Sequence, residues 1–265
     1  MKMLRIITTL GLLSALIAEG QDVTVGKHRL VASGSTFSPT YEWVAGYASN
    51  KCSATGSSSC ATAGQVFYSA KDETAGNAAT ATNTSASTGF LYEPSQINSL
   101  AAIEVSGSAA GTTLSPGTTI SSTQTMTFYA VFNPASFTTG LMLGGSANGT
   151  LYFGLNTAGK PVLGSINYTT TAAGTTAFTT NSWQSAVWTY NNSTGAWAYY
   201  TCNTGTATAN GSGTTTLSSL SGNTGILNGQ HSGAGLQGYY AEWGLFLGTA
   251  SNAGICSHIY SVYGI

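Results

Sequence analysis

Carboxylates, imidazoles and thiols carry most acid–base, nucleophilic and metal chemistry, and this chain has few of them. Its 265 residues include eight acids, namely Glu19, Asp22, Glu42, Asp72, Glu73, Glu93, Glu104 and Glu242. There are three histidines, His28, His231 and His258, and four cysteines, Cys52, Cys60, Cys202 and Cys256. Retaining glycoside hydrolysis needs two carboxyls about 5 Å apart, and alternate residues of one strand supply such a pair. No two acids stand at i, i+2, and the adjacent Asp72 and Glu73 would face opposite sides of a strand. No Gly-x-Ser-x-Gly elbow occurs, and the histidines are scattered along the chain. The expectation is therefore no catalytic residue and no enzyme. A polysaccharide hydrolase remains the alternative if folding pairs acids that are distant in sequence.

Glu242 sits in "GYYAEWGLFLG" (238–248), among aromatic and aliphatic residues. On a regular strand it shares a face with Tyr240, Gly244 and Phe246, opposite Tyr239, Ala241, Trp243 and Leu245. A carboxylate buried there must be hydrogen-bonded, so its expected role is structural. Calcium takes six to eight oxygens, and the turn "KDETAGN" offers Asp72, Glu73 and Asn77 as candidate ligands. A solvated turn is the favoured reading of that stretch, and no cofactor is expected.

Sugars are held by aromatic faces together with amides and hydroxyls. The segment "LNGQHSGAGLQG" (227–238) supplies Asn228, Gln230, His231 and Gln237, with glycines that let backbone approach a ligand. Trp43, beside Tyr41 and Tyr47, alternates weakly and is expected near a rim. Trp183, Trp188, Trp197 and Trp243 fall in strand patterns and are expected in the core.

The elements that must position these residues are β-strands. Only 6% of residues are charged, against about 25% in an average soluble protein. The 34 glycines and 14 tyrosines suit turns and strands. With a net charge of -1 there is no basic surface for nucleic acid. Strand patterns appear at 40–49, 64–70, 99–108 and, most clearly, in "QTMTFYAVFNP" (124–134). There Met126, Phe128, Ala130 and Phe132 share one face while Thr127, Tyr129 and Val131 share the other, which marks a strand covered on both sides. Short strands separated by "SANG", "NTAGKP", "NNSTG" and "CNTG" follow, without helices, as in a sandwich or jelly roll. The end differs. Thr249 or Ser251 can cap a helix carrying Ile255, Ile259 and Val262, and Gly264 can end it.

Four cysteines allow three pairings. The favoured set is Cys52–Cys60, which brackets "SATGSSS", with Cys202–Cys256. At the N-terminus, Lys2 and Arg5 precede an apolar run from Ile6 to Ala18 and the small residues Ala18 and Gly20. This order is that of a signal peptide cleaved after Gly20, leaving no membrane segment.

The order of elements resembles the concanavalin A-like lectin/glucanase jelly rolls, in their laminin-G-like branch. Four stretches carry the resemblance. They are 71–108, "TMTFYAVF", the Trp-centred hairpin "SWQSAVWTYNNSTGAWAYYTCNTG" (182–205), and "LQGYYAEWGLFLGTAS…HIYSVYGI". The glucanase branch carries its catalytic acids as E-x-D-x-E, which is absent here. The resemblance implies an all-β antiparallel sandwich over 35–265 with a short C-terminal helix; it is expected to follow 1–20, a signal peptide or a retained N-terminal segment, and a 21–34 lead-in. It implies that an acid at Glu242 packs near the closing helix, and that calcium sits at one rim in many members. It implies recognition of a glycan or cell-surface ligand by a secreted, extracellular or periplasmic protein. The alternative from another class is a phage virion component, structural or receptor-binding, at the particle surface.

Overall fold

The computed structural model describes residues 23–25, 28–30, 37–53, 56, 58–74, 80–83, 89–105, 114–115, 125–137, 140–145, 151–165, 170–217, 224–226 and 237–265. In chain order the strands are β1 (Val23–Val25), β2 (His28–Leu30), β3 (Tyr41–Val44), β4 (Lys51–Cys52), β5 (Ser58–Ser59), β6 (Gln65–Lys71), β7 (Thr80–Asn83), β8 (Phe90–Ile97), β9 (Leu100–Val105) and β10 (Leu114–Ser115). They continue as β11 (Thr125–Pro134), β12 (Gly140–Gly145), β13 (Leu151–Leu155), β14 (Pro161–Ser165), β15 (Thr170–Ala173), β16 (Gln184–Asn191), β17 (Ala196–Asn203), β18 (Thr206–Thr214), β19 (Thr224–Ile226) and β20 (Gly238–Leu247). Among the described residues one helix, α1 (Asn252–Tyr263), follows.

The fold is an all-β antiparallel sandwich. One sheet runs β18-β17-β16-β11-β20, and β20 then pairs with both β3 and β9, the latter leading to β8. The other runs β15-β14-β13-β12-β19-β10-β7-β6-β4-β5. Strand β6 belongs to both: Gln65 and Val66 pair with β8, while Ser69 to Lys71 pair with β7. β1 and β2 form a separate hairpin.

Strand β11 is covered on both faces, as its sequence requires. Met126, Phe128, Ala130 and Phe132 enter the inter-sheet core with Phe153, Leu163 and Trp188. Tyr129 and Val131 face outward and are covered by Ile255, Ile259 and Tyr263 of α1. The helix begins at Ser251, whose side chain accepts from Gly254 N at 3.1 Å, and ends at Gly264 in the left-handed region with φ 71°. The Cys202–Cys256 disulfide ties α1 to β17, and Cys52–Cys60 closes the β4–β5 turn. These bridges join the cysteines paired in the sequence analysis.

Two regions differ from expectation. A bulge interrupts the β11–β20 ladder, because Val131 opposes Glu242 but Phe132 opposes Tyr240. The extra residue, Ala241, shifts the alternation. Tyr240 therefore joins Trp243 and Leu245 in the inter-sheet core, while Ala241 packs toward α1. Strand β18 has no apolar periodicity to announce it. It is an edge strand of Thr, Ala, Gly, Ser and Asn, mostly exposed apart from Asn210. The preceding turn was visible: Thr204 and Gly205 both have positive φ, as a two-residue hairpin loop demands. Residues 1–20 lie outside the described residues, and among the described residues no helix is long and apolar enough to cross a membrane.

Candidate functional site

The densest group of chemistry-bearing side chains lies between the β20 sheet and α1. Strand β3 pairs with β20 so that Glu42 opposes Gly244 and Glu242 opposes Val44. Glu42 and Glu242 are thus diagonal neighbours on the helix-facing side. On the other flank of β20, Tyr129 also opposes Gly244. A Cβ on Gly244 would lie 2.8 Å from Cζ and the hydroxyl of Tyr129, so the phenol ring occupies the space left by the missing side chain. From there its hydroxyl lies 2.6 Å from Glu242 Oε1 and 3.0 Å from Glu42 Oε1. Helix α1 supplies two more contacts: His258 Nε2 is 2.9 Å from Glu242 Oε1, and the Tyr263 hydroxyl donates to Glu242 Oε2 at 2.8 Å. Phe37 stacks on the His258 ring, with centroids 3.9 Å apart.

The group is sealed: Glu242 is 0% exposed, His258 4% and Glu42 5%. One ligand atom from each lies within 4.8 Å of the others, a donor set that could hold a metal ion. Glu242 has three hydrogen-bond partners there, Tyr129, His258 and Tyr263. Burial and the adjacent Glu242 carboxylate push the Tyr263 phenol well above its usual range, so it remains a proton donor. The arrangement pins the helix to the sheet. Glu242 is buried and hydrogen-bonded as expected, and His258 joins it from the closing helix.

A second carboxylate orders the neighbouring turn. Asp72 Oδ1 accepts from Glu42 N at 3.0 Å, from Thr74 N at 3.0 Å and from the Thr74 hydroxyl at 2.9 Å. Glu73 N donates to Glu42 O at 2.9 Å. Burial raises the Asp72 pKa, and the hydrogen bonds from Glu42 and Thr74 oppose that rise. The solvated turn of the sequence analysis is corrected here: Asp72 is a buried acceptor that fastens its segment to β3. Asn77 lies outside the described residues.

Trp43 is also corrected. It is 1% exposed, opposes Trp243 in the β3–β20 ladder and packs in the inter-sheet core. Its weak alternation arose because the covered helix-facing side holds Glu42 where an apolar residue would ordinarily stand. Trp188 and Trp243 are core residues as expected, whereas Trp183 and Trp197 are only partly buried. Asn228, Gln230 and His231 lie outside the described residues. Gln237 is half-buried immediately before β20, and its carbonyl accepts from Ala135 N at 2.9 Å.

No protein-family model and no curated protein sequence matches the chain. Solved structures share its fold. An arabinofuranosidase complexed with arabinofuranosyl-α-1,2-xylobiose superposes with a TM-score of 0.56 at 13% identity, over 86% of this chain and 60% of that one. A GH54 α-L-arabinofuranosidase soaked with a cyclic sulfate inhibitor gives 0.53 at 14% identity, over 88% and 60%. Domain 4 of the GH43 extracellular arabinanase AbnA from Geobacillus stearothermophilus, in complex with arabinotriose, gives 0.47 at 17%, over 64% and 80%. The chain spans 60% of the length of the two arabinofuranosidases. At these identities the likeness to the two arabinofuranosidases shows a shared β-sandwich fold.

The expectation that the chain is not an enzyme is overturned. Glycoside hydrolases share its fold over most of its length. Its premise also fails, because a search for carboxylates at i, i+2 on one strand misses Glu42 and Glu242, which an antiparallel ladder brings together from two strands. The signal that could have found them is Gly244, a glycine two residues after Glu242 in an otherwise bulky strand.

Proposed function

We propose that this chain recognises carbohydrate outside the cell, as a concanavalin A-like sandwich of laminin-G-like kind over residues 35–265. The observation that carries the reading is the sandwich itself, which over 86% of the chain follows an arabinofuranosidase complexed with an arabinofuranosyl-xylobiose. Two disulfides suit an oxidising compartment. A surface solvated by hydroxyls and amides, with 6% charged residues, suits contact with sugar hydroxyls. Export would use residues 1–20 as a cleaved signal. The contact would use the 227–238 segment, with Asn228, Gln230, His231 and Gln237 as hydrogen-bonding groups. The test is retention of the full chain on immobilised polysaccharides, including arabinan and arabinoxylan. Retention on at least one, released by the soluble sugar, supports the reading; passage through all of them overturns it.

A second reading, glycoside hydrolysis, is favoured by one observation: arabinofuranosidases share this fold over most of the chain; it requires the sealed Glu42 and Glu242 pair to open to substrate. Its test is reducing-sugar release from the same polysaccharides. Release that Glu42→Gln abolishes without lowering the melting temperature supports it. Absence of release, or release indifferent to Glu42→Gln, contradicts it.

A further inference from the structure

The outer face of the β4–β6–β7 corner carries a groove of about 420 Å³, lined by Ala48, Ser49, Lys51, Ser69, Lys71 and Thr80. Its charge is unusual for this chain. From residue 31 onward there are three basic residues, Lys51, Lys71 and Lys160, and two of them line this groove. The ladder places them together. Lys51 opposes Ser69, and Lys71, two residues further along β6, opposes Thr80. A register shift between Lys51 and Cys52 turns Cys52 and Phe67 into the core and leaves Lys51, Ser69 and Lys71 on the outer face. The two lysines are diagonal neighbours across the ladder, within reach of one ligand.

These groups have donors to spare. Among the described residues, neither ammonium group takes part in an ion pair or a hydrogen bond. Ser69 is 6% exposed, lines the groove floor between the lysines, and its hydroxyl has no hydrogen-bond partner among the described residues. Asp72, next in sequence to Lys71, does not neutralise it, because its carboxylate turns inward to Glu42 N and Thr74. Two cations attract an anion, but they are too few to hold a polyphosphate backbone, which is gripped by many. The hydroxyls of Ser49, Ser69 and Thr80 add donors and acceptors for sugar hydroxyls.

We propose that this groove binds an acidic oligosaccharide, with Lys51 and Lys71 on its carboxylate or sulfate groups and Ser69 on a neighbouring oxygen. The inference rests on the carbohydrate reading and names residues other than those of the 227–238 segment. Isothermal titration of the full chain with an oligogalacturonide, a sulfated heparin-type oligosaccharide and a neutral xylo-oligosaccharide tests it. At least one acidic ligand should bind, and added salt should weaken that binding. The Lys51→Gln/Lys71→Gln double substitution should weaken it about tenfold or more with the melting temperature unchanged. The carboxylate and sulfate arms decide which anion fits. An acidic ligand bound equally well by the double variant overturns the groove. So does neutral binding without acidic binding, which leaves the carbohydrate reading standing. No binding of any ligand here, together with passage through every immobilised polysaccharide, overturns both.

Discussion

The phenol ring of Tyr129 lies over the bare α-carbon of Gly244, its ladder partner, and so its hydroxyl touches the carboxylates of both Glu42 and Glu242. One absent side chain thereby permits a contact among three strands, and His258 and Tyr263 extend it to the closing helix. Buried carboxylates are stable only when their hydrogen bonds are made. Here the partners come from residues distant in sequence, so the network can form only when β3, β11, β20 and α1 are all in place.

Gly244→Ala should therefore destabilise the fold although it adds one methyl group. The new Cβ would collide with the Tyr129 ring, and overpacking of this kind costs about 1–3 kcal/mol. Denaturant titration checks the expectation. Tyr129→Phe, which keeps the ring and loses the hydroxyl, should not relieve the clash when combined with Gly244→Ala.

Glu242→Gln keeps the shape of the side chain but turns one acceptor into a donor facing Tyr129, His258 or Tyr263. Leaving a buried polar group mismatched in this way costs about 1–3 kcal/mol. The midpoint of urea unfolding should fall accordingly, and the near-ultraviolet circular dichroism of the aromatic cluster should weaken.

Removing the Cys202–Cys256 bridge, with sequence separation 54, should cost about 4 kcal/mol in the chain-entropy model, against about 2.5 kcal/mol for Cys52–Cys60 with separation 8. Thermal unfolding of the Cys202→Ser/Cys256→Ser and Cys52→Ser/Cys60→Ser variants measures both losses.

Asp72 links stability to pH. Its pKa rises on folding, mainly through burial, so the folded chain binds that proton more tightly than the unfolded chain does. Its contribution is therefore greatest below the unfolded-state value and is lost as pH rises through the folded-state value. Asp72→Asn keeps an acceptor for Glu42 N and Thr74 N without the charge. It should remove this decline on the acid side of neutrality, as seen in melting temperature against pH.

The sandwich was legible because the pattern along β11 has only one interpretation. Phe128 and Tyr129 are both large and adjacent, so both faces of that strand must be covered. The helix was legible from Ser251, Ile255, Ile259 and Gly264, each at its proper interval. The carboxylate cluster was not, because a ladder contact between Glu42 and Glu242 leaves no local spacing to read. The face of Tyr240 was misassigned because a bulge at Ala241 breaks the strand period without any residue such as Gly or Pro to signal it. Trp43 was assigned to a rim because Glu42 interrupts its alternation, and only the structure shows that this acid is itself buried.

Carbohydrate recognition is tested most directly by applying the full chain, and a variant with Asn228, Gln230, His231 and Gln237 replaced by Ala, to a glycan microarray. The account predicts that the parent chain binds a related set of glycans, and that the variant loses those neutral glycans that contact the 227–238 segment while keeping its fold. A parent chain that binds no glycan on the array, although its circular dichroism shows the folded sandwich, would contradict it.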